Sequence, residues 1–294
     1  MMGLDVNAVW RYAPVERWTS GAAAVILLTF DVDAETMLLG EGGDRYASDL
    51  SGMSHGAFGA TVGLERLLRM LERHSTPATF FIPGWTAEHH PRCVERVAAA
   101  GHEIALHGYL HKPPSSCDQD EQRAEIERSL EVFERLGVRP VGYRAPVWMT
   151  TSYTLEQLGS YGLQYDSSLM DDDKPYLLDT PSGRLAELPP QWYLDDGEQY
   201  LYLPYPGFDG VIQRPSSVAD TWRDEVDAYR AIHSLLVLTA HPCLSGRPAR
   251  VRALESVIEY AESLGDVELA RCDEVAARLL ETPEVELLQS RPGE

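Results

Sequence analysis

The sequence predicts an α/β fold in which about seven parallel strands are covered by helices, one strand short of a closed eightfold barrel. Three observations carry this prediction. Apolar runs of strand length alternate with helical patterns, as is typical of a parallel sheet with helices outside. The chain has 294 residues, 44% of them hydrophobic, so it can bury a large core. Polar residues capable of chemistry repeatedly follow the apolar runs, where the loops of such a fold carry function.

Each predicted strand is a short apolar run that ends in polar or turn-forming residues. The longest, Ala22–Phe30, is too short to cross a bilayer as a helix and is interpreted as a buried strand. The stretch from about Asp171 to Phe208 is turn-rich and aromatic, and it contributes no strand to this count. The seven runs are, in chain order, AAAVILLTF, ATFFI, EIAL, VGYRA, LQYDSS, LLVLTA and VELA.

The segments between these runs show the spacing of amphipathic helices. Pro91 lies where a helix start tolerates proline, and Gly101 where a helix end favours glycine. With no linker and no internal repeat, we expect one domain over residues 1–294, with its core at about 22–280. The predicted helices are GLERLLRMLERH, PRCVERVAAAGH, EQRAEIERSLEVFERLG, a helix near TLEQLGSYG, SVADTWRDEVDAYRAIH, RVRALESVIEYAESLG and CDEVAARLL.

The charge and cysteine content limit the classes of partner. Lys+Arg 25 against Asp+Glu 46 gives a net charge of -21, which repels phosphate backbones and anionic bilayers, so neither nucleic acid nor membrane is expected as a partner. The four cysteines show no CxxC pairing, which favours reduced thiols, and the N-terminus carries no basic leader. We therefore expect a cytoplasmic protein, with the oligomeric state left open and a homo-oligomer as one alternative.

Asp31 and Asp33 follow the first strand and are two residues apart, so on an extended segment their side chains point to the same side. Two like charges so close call for a nearby cation, either a metal or an arginine. The alternative is a pair of solvated turn aspartates.

His107 and His111, in HGYLH, follow the EIAL strand and can converge whether the segment is a helix or a loop. Two imidazoles and one carboxylate make a three-ligand metal site with an open position, which is the arrangement of catalytic metals. The sequence therefore predicts Asp33, His107 and His111 as metal ligands.

Further candidates follow other strands. His241 suits a general acid, and Arg144 suits a clamp on an ionised carboxylate, although a structural ion pair is an alternative for Arg144. Asp166 follows the LQY run and is also a candidate for the substrate pocket. Trp148, Trp192 and Tyr176 come from loops and are candidates for a substrate pocket, with ordinary core packing as the alternative.

The ordered segments FDVDAE, HGYLH, RAP, DSSLMDDDKPY and LTAHP resemble the five motifs of the NodB-homology or polysaccharide deacetylase family, from about Ala22 to Leu280. The resemblance implies a distorted, incomplete (β/α) barrel and a metal-dependent hydrolase of carbon–nitrogen amide bonds. It implies Asp31 as general base, and Zn²⁺ at the three ligands with Co²⁺, Ni²⁺ or Mn²⁺ as alternatives. It also implies Arg144 as tether of the base and His241 as general acid.

The chain departs from the family pattern at two places. Val147 stands where the family supplies an oxyanion-hole N–H, but Trp148 replaces the usual glycine beside it. The first motif inserts Val32 between its aspartates and adds Glu35, a further pocket candidate. The FDxDxE form of the first motif, the HP that is followed by GRP, and the absence of a secretion signal resemble a cytosolic branch of the family. That branch includes peptidoglycan-deacetylase-like proteins, allantoinase-like proteins and cyclic-imide hydrolases, some of which work without a metal.

The expected substrate is therefore an N-acetylated sugar or another small amide. The first alternative is opening of a cyclic imide or ureide ring, with or without a metal. The second is a non-catalytic module that binds a metabolite or sugar, for which an open metal site would be unnecessary. Nucleophilic catalysis by Cys243, two residues from His241, has no thiolate-activating pattern to support it.

Overall fold

The computed structural model describes residues 10–12, 18, 20–42, 44–203, 210–281 and 287–288. Within them, eleven strands form one sheet. All seven predicted strands belong to its parallel part, so the predicted fold class is confirmed. The strands are β1 (Trp10–Tyr12), β2 (Ala24–Asp31), β3 (Thr79–Ile82), β4 (Glu103–Leu106), β5 (Gly142–Tyr143), β6 (Tyr165–Asp166), β7 (Tyr176–Thr180), β8 (Gly183–Glu187), β9 (Leu235–Ala240), β10 (Val267–Ala270) and β11 (Leu287–Leu288).

β2 is the central strand. β9 pairs with it from Val25 to Phe30 on one side. On the other side β10 pairs with residues 24–27 and β3 with residues 29–31. From β3 the sheet continues through β4, β5 and β6 to β8, all parallel. The carboxyl ends of these strands therefore meet at one rim of an incomplete barrel.

The sequence count missed four strands. β8 is an eighth parallel strand, but its first two residues are exposed, so it lacks the apolar run that identified the others. β7 pairs antiparallel with β8, β1 with β7 and β11 with β1. β7 and β8 lie in the turn-rich stretch from about Asp171 to Phe208, of which residues 204–208 fall outside the described part of the chain.

Alternate residues of β2 enter two different apolar clusters. Ile26, Leu28 and Phe30 pack into the main cluster, and Val25 and Leu27 into the second. All eight residues of the strand are buried, as expected where helices cover one face of a sheet and the barrel interior lies on the other. The period of two places the side chain of the last residue, Asp31, on the interior face.

Seven helices correspond to those that the periodicity predicted, at residues 64–74, 91–99, 119–135, 152–158, 215–231, 248–264 and 272–281. The other six helices have between four and nine residues, and no helix was predicted over their segments. In the described part of the chain, no helix combines the length and apolar character needed to cross a bilayer. The helices are α1 (Thr36–Gly42), α2 (Asp44–Ala47), α3 (Leu50–Phe58), α4 (Leu64–His74), α5 (Gly84–His89), α6 (Pro91–Ala99), α7 (Gln119–Arg135), α8 (Ser152–Leu158), α9 (Asp196–Tyr200), α10 (Pro215–Ala231), α11 (Pro242–Ser245), α12 (Pro248–Leu264) and α13 (Cys272–Glu281).

Candidate active site

A cavity of about 390 Å³ opens at the rim where β2, β4 and β9 end. Residues distant in sequence meet there because parallel strands bring their carboxyl ends to one edge. Its described lining consists of Asp31, Asp33, Met37, His107, His111, Val147, Trp148, Trp192, Asp195, Gly197, Glu198, Leu201, Gly210, His241 and Leu244.

Asp31 and Arg144 form a buried ion pair beneath this cavity. Arg144 Nη1 donates to Asp31 Oδ1 at 2.7 Å, and the Arg144 side chain is fully buried. Burial alone would raise the pKa of Asp31, but Arg144, aided by the histidines His107 and His241, outweighs burial and the pKa is lowered. Asp31 is therefore held ionised, as a proton acceptor must be.

Arg144 is fixed from several sides. Its Nη1 also donates to the hydroxyls of Thr29, at 3.0 Å, and Thr239, at 3.3 Å. Its Nε and Nη2 donate to the carbonyl and hydroxyl of Ser167. The carbon of its guanidinium lies 4.0 Å from the ring centroid of Phe81. With these contacts the guanidinium has little freedom, and the carboxylate of Asp31 is positioned by a rigid partner.

Asp33, His107 and His111 are buried together at the cavity wall. His107 Nε2 lies 3.5 Å from Asp33 Oδ1, and His111 Nε2 lies 3.6 Å from Asp33 Oδ2. Two ligands bound tetrahedrally at Zn–N and Zn–O distances of about 2.0–2.1 Å would be roughly 3.4 Å apart. The spacing of the three side chains therefore fits a divalent ion.

The donor chemistry of these residues also fits a cation. His107 Nδ1 lies 2.9 Å from the carbonyl oxygen of Arg144, which selects the tautomer that leaves the Nε2 lone pair facing Asp33. Burial lowers the pKa of His107, and lowers that of His111 to about 4, so both imidazoles are neutral near pH 7. Asp33 Oδ1 is buried without a hydrogen-bond donor among the described residues.

His241 faces the same cavity from the end of β9. Its Nδ1 lies 2.7 Å from Asp196 Oδ1 and 3.4 Å from Asp195 Oδ1, and its Nε2 lies 3.6 Å from Asp33 Oδ2. Asp196 also accepts hydrogen bonds from the backbone N–H of His241 and the hydroxyl of Ser245. Burial alone would lower the pKa of His241, but Asp195 and Asp196 raise it well above its ordinary value. An imidazole held in this way presents its Nε2 to the cavity.

Replacing Asp196 by Asn should lower kcat by about 10- to 100-fold with little change in KM, because the side chain orients His241 without lining the cavity. Steady-state kinetics on the folded variant test this expectation. Asp220→Asn, which alters an exposed carboxylate paired with Arg223, is the control and should leave kcat unchanged. Wild-type kcat in Asp196→Asn would show that Asp196 does not position His241 for catalysis.

Val147 and Trp148 form an unusual turn at the cavity. Both have left-handed backbone angles, with φ of 55° and 56°, which is rare for a β-branched residue such as valine. The N–H of Val147 lies in the first turn of the 3₁₀-helix Pro146–Trp148, where no intrahelical acceptor is within reach. Among the described residues, no side chain caps this helix start. Ser168 supports the turn by accepting from the N–H of Ala145 at 2.9 Å.

The structure brings two of the five pocket candidates to the cavity and places three elsewhere. Trp148 lines the wall and is buried, and Trp192 lines the mouth with 58% of its surface exposed. Glu35, Asp166 and Tyr176 are not among the described lining residues.

Each of the three has another partner. The left-handed turn at Ala34, with φ of 52°, precedes Glu35, whose carboxylate contacts His90 Nε2 at 2.9 Å. Tyr176 lies in β7 and donates to Asp171. Asp166 faces Glu187 of β8, its register partner.

Asp166 and Glu187 form a fully buried pair of carboxyl groups at partnered positions of β6 and β8. Burial raises the pKa of Asp166 to about 6, and burial together with Asp166 raises that of Glu187 well above its usual range. Glu187 accepts from the N–H groups of Ser168 and Leu169, and Asp166 accepts from the hydroxyl of Ser168. Asp166 thus contributes to the support of Ser168, and through it of the turn at Val147.

Sequence reasoning missed Asp195 and Asp196. They follow the 3₁₀-helix Trp192–Leu194 and not a strand, and Asp195 caps α9 by accepting from the N–H of Gly197. The adjacent aspartates before glycine predict only a helix start, so their contact with His241, about 45 residues later in the chain, required the folded structure.

Comparisons with known proteins find relatives that cover most of this chain. The family model described as polysaccharide deacetylase matches residues 21–165. A peptidoglycan deacetylase of Helicobacter pylori is 30% identical over 275 residues, covering 84% of this chain and 92% of the relative. The crystal structure of a candidate polysaccharide deacetylase from Mycobacterium smegmatis has 42% identity and a TM-score of 0.89, with 96% and 98% of the two chains covered. The structure of Puue allantoinase, at 24% identity, a TM-score of 0.79 and coverage of 92% and 95%, shares the fold.

Proposed function

Because this chain belongs to the polysaccharide deacetylase family, we propose that it removes the acyl group of an N-acetylated sugar or another small amide, with a divalent metal held by Asp33, His107 and His111. Membership makes it a hydrolase of carbon–nitrogen bonds other than peptide bonds. The observation that carries the proposal is the position of the ionised Asp31 and of His241 on the same cavity as the three-ligand set.

The three ligands would hold the ion, with Zn²⁺ as the expected metal because two imidazoles and one carboxylate suit it. When bound, the ion would supply Lewis-acid chemistry, polarising the amide carbonyl and acidifying water. The hydrogen bond between His107 Nδ1 and the carbonyl oxygen of Arg144 supports this role, because it fixes the tautomer of His107.

Asp31 removes a proton from water, and the water oxygen bonds to the carbonyl carbon. The N–H of Val147 donates a hydrogen bond to the oxygen that gains negative charge. His241 Nε2 gives its proton to the nitrogen as the carbon–nitrogen bond breaks, which releases an amine and a carboxylic acid. Asp196 holds the other ring nitrogen throughout.

Two rival chemistries fit the site less well. Burial raises the pKa of the Cys243 thiol to about 12, which opposes nucleophilic catalysis by a thiolate. A module that only binds a metabolite has no use for a base clamped by arginine opposite an imidazole held by two carboxylates. Opening of a cyclic imide or ureide would employ the same acid and base and is distinguished by experiment.

The test combines metal analysis with turnover of N-acetyl sugars and cyclic imides, with and without chelator. We expect bound zinc, N-acetyl sugar hydrolysis that chelator abolishes, and recovery on adding Zn²⁺. His111→Ala removes one of the three proposed ligands and should lower metal affinity by more than the roughly 10- to 100-fold that loss of a contact to a ligand costs. His89→Ala, at an exposed histidine that stacks on Trp85, should retain metal affinity. Imide hydrolysis that resists chelator would contradict the metal role and replace deacetylation by ring opening.

A further inference from the structure

We propose that this cavity selects amides whose amine part carries a second, positively charged amino group, at a distance of about one helical turn from the amide. Glu198 binds that amino group. The inference rests on the proposed deacetylation and adds the class of amine that is released. It also makes Glu198 a specificity-determining residue, without a part in the bond-breaking steps.

The carboxylates that line the cavity differ in their partners. Asp31 is bound by Arg144, Asp33 belongs to the ligand set, and Asp195 lies against His241 and caps α9. The side chain of Glu198 has no hydrogen bond or ion pair with the described residues, and the residue is exposed. Glu198 is therefore the lining carboxylate that is available to a ligand.

The position of Glu198 indicates which part of a substrate it would meet. Asp195 is the N-cap residue of α9, and Glu198 lies three residues later in its first turn. Asp195 Oδ1 lies 3.4 Å from Nδ1 of His241, the residue that protonates the departing nitrogen. The carboxylate of Glu198 thus lies on the amine side of the scissile bond, one turn away from the proton donor.

The rest of the lining suits a cationic amine and opposes an anionic one. No lysine or arginine is among the described lining residues, so a substrate carboxylate or phosphate away from the reaction centre would lack a cation to pair with. The net charge of -21 also attracts cationic substrates and repels anionic ones at long range. Met37, Leu201 and Leu244 offer apolar wall for a spacer, and the exposed ring of Trp192 can contact a cation.

Three amides of similar length test the charge preference: N-acetyl-1,4-diaminobutane, N-butylacetamide and N-acetyl-4-aminobutyrate. Calorimetric titration of the full chain with Zn²⁺ added gives their dissociation constants, and kcat/KM follows from hydrolysis assays. We expect the cationic amide to bind about fivefold more tightly than the neutral one, the gain typical of one partly exposed ion pair, and the anionic amide to bind most weakly.

Glu198→Gln should weaken binding of the cationic amide until the cationic and neutral amides bind alike, to within about twofold. The control is Glu95→Gln, at an exposed position of α6, which should keep the preference. A second arm compares chitobiose that lacks one of its two acetyl groups with the fully acetylated disaccharide. If the cationic compound binds more tightly among the three linear amides alone, the substrates are acetylated diamines. If it binds more tightly in both arms, partly deacetylated sugars are substrates as well.

The outcomes separate this inference from the proposed function. Equal binding of cationic and neutral amides by the wild type in both arms would overturn the inference even if every amide is hydrolysed. A preference that persists in Glu198→Gln would overturn it as well. In a third case, the wild type binds the cationic amide most tightly, Glu198→Gln abolishes this preference, and no amide is hydrolysed in either arm. That result would support the inference about binding and overturn the proposed deacetylation.

Discussion

Replacing Asp31 by Asn should reduce kcat by about 10²- to 10⁴-fold, the range for loss of a general base, and leave the metal content unchanged. The amide cannot accept the proton of water, although its oxygen can still accept from Arg144 Nη1. Since Arg144 then lacks its counter-charge in a fully buried position, the variant should also be less stable. Activity must therefore be measured per folded molecule, below the unfolding transition.

Asp120→Asn is the matched control, because the side chain of Asp120 is 84% exposed at the start of α7 and, among the described residues, forms an ion pair with Arg123 alone. It should retain full activity and stability. Two results would contradict the role of Asp31. Retained turnover would assign the base elsewhere, and loss of bound metal would make Asp31 a ligand.

Replacing Arg144 by Met should lower the free energy of unfolding by about 3–5 kcal/mol, the typical cost of removing one partner of a buried ion pair. Methionine fills much of the volume, but it leaves Asp31 buried without its cation and removes the donors to Thr29, Thr239 and Ser167. Urea denaturation measures the loss. Turnover should fall as well, because the pKa of Asp31 is no longer held down.

The control for this substitution is Arg230→Met, which removes an arginine from a partly exposed pair with Asp266. Side chains 39% and 40% exposed are screened by water, so the expected loss of stability is much smaller than that of Arg144→Met. If the two variants lose equal stability, the buried network around Arg144 contributes no more than a surface ion pair.

The sequence predicted the site well where a continuous apolar strand leads directly to a polar residue. Asp31, Asp33, His107, Arg144 and His241 all lie at or just beyond the ends of β2, β4, β5 and β9, and the structure brings them together. Their convergence follows from sheet geometry alone, since parallel strands end at one edge. Their chemical roles stay predictions until the variants are measured.

Pocket candidates taken from loops were less predictable, because a loop side chain has no period that fixes its direction. Glu35 was expected in the pocket and instead contacts His90, after the left-handed turn at Ala34. Asp166 did follow a strand, but β8, which sequence reasoning missed, brings Glu187 against it. Asp196 was missed because the contact that gives it a role is between elements far apart in the chain.

The strands that pair with β2 determine which parts of the site are lost when the protein opens locally. With β9 along one side and β10 and β3 in succession along the other, β2 cannot separate unless three parallel strands give way together. Local openings that free a loop or a short helix leave such a strand in place. The carboxylates at its end should therefore keep their geometry until global unfolding, whereas the five-residue helix α9, which holds His241 and carries Glu198, can be lost in a smaller opening.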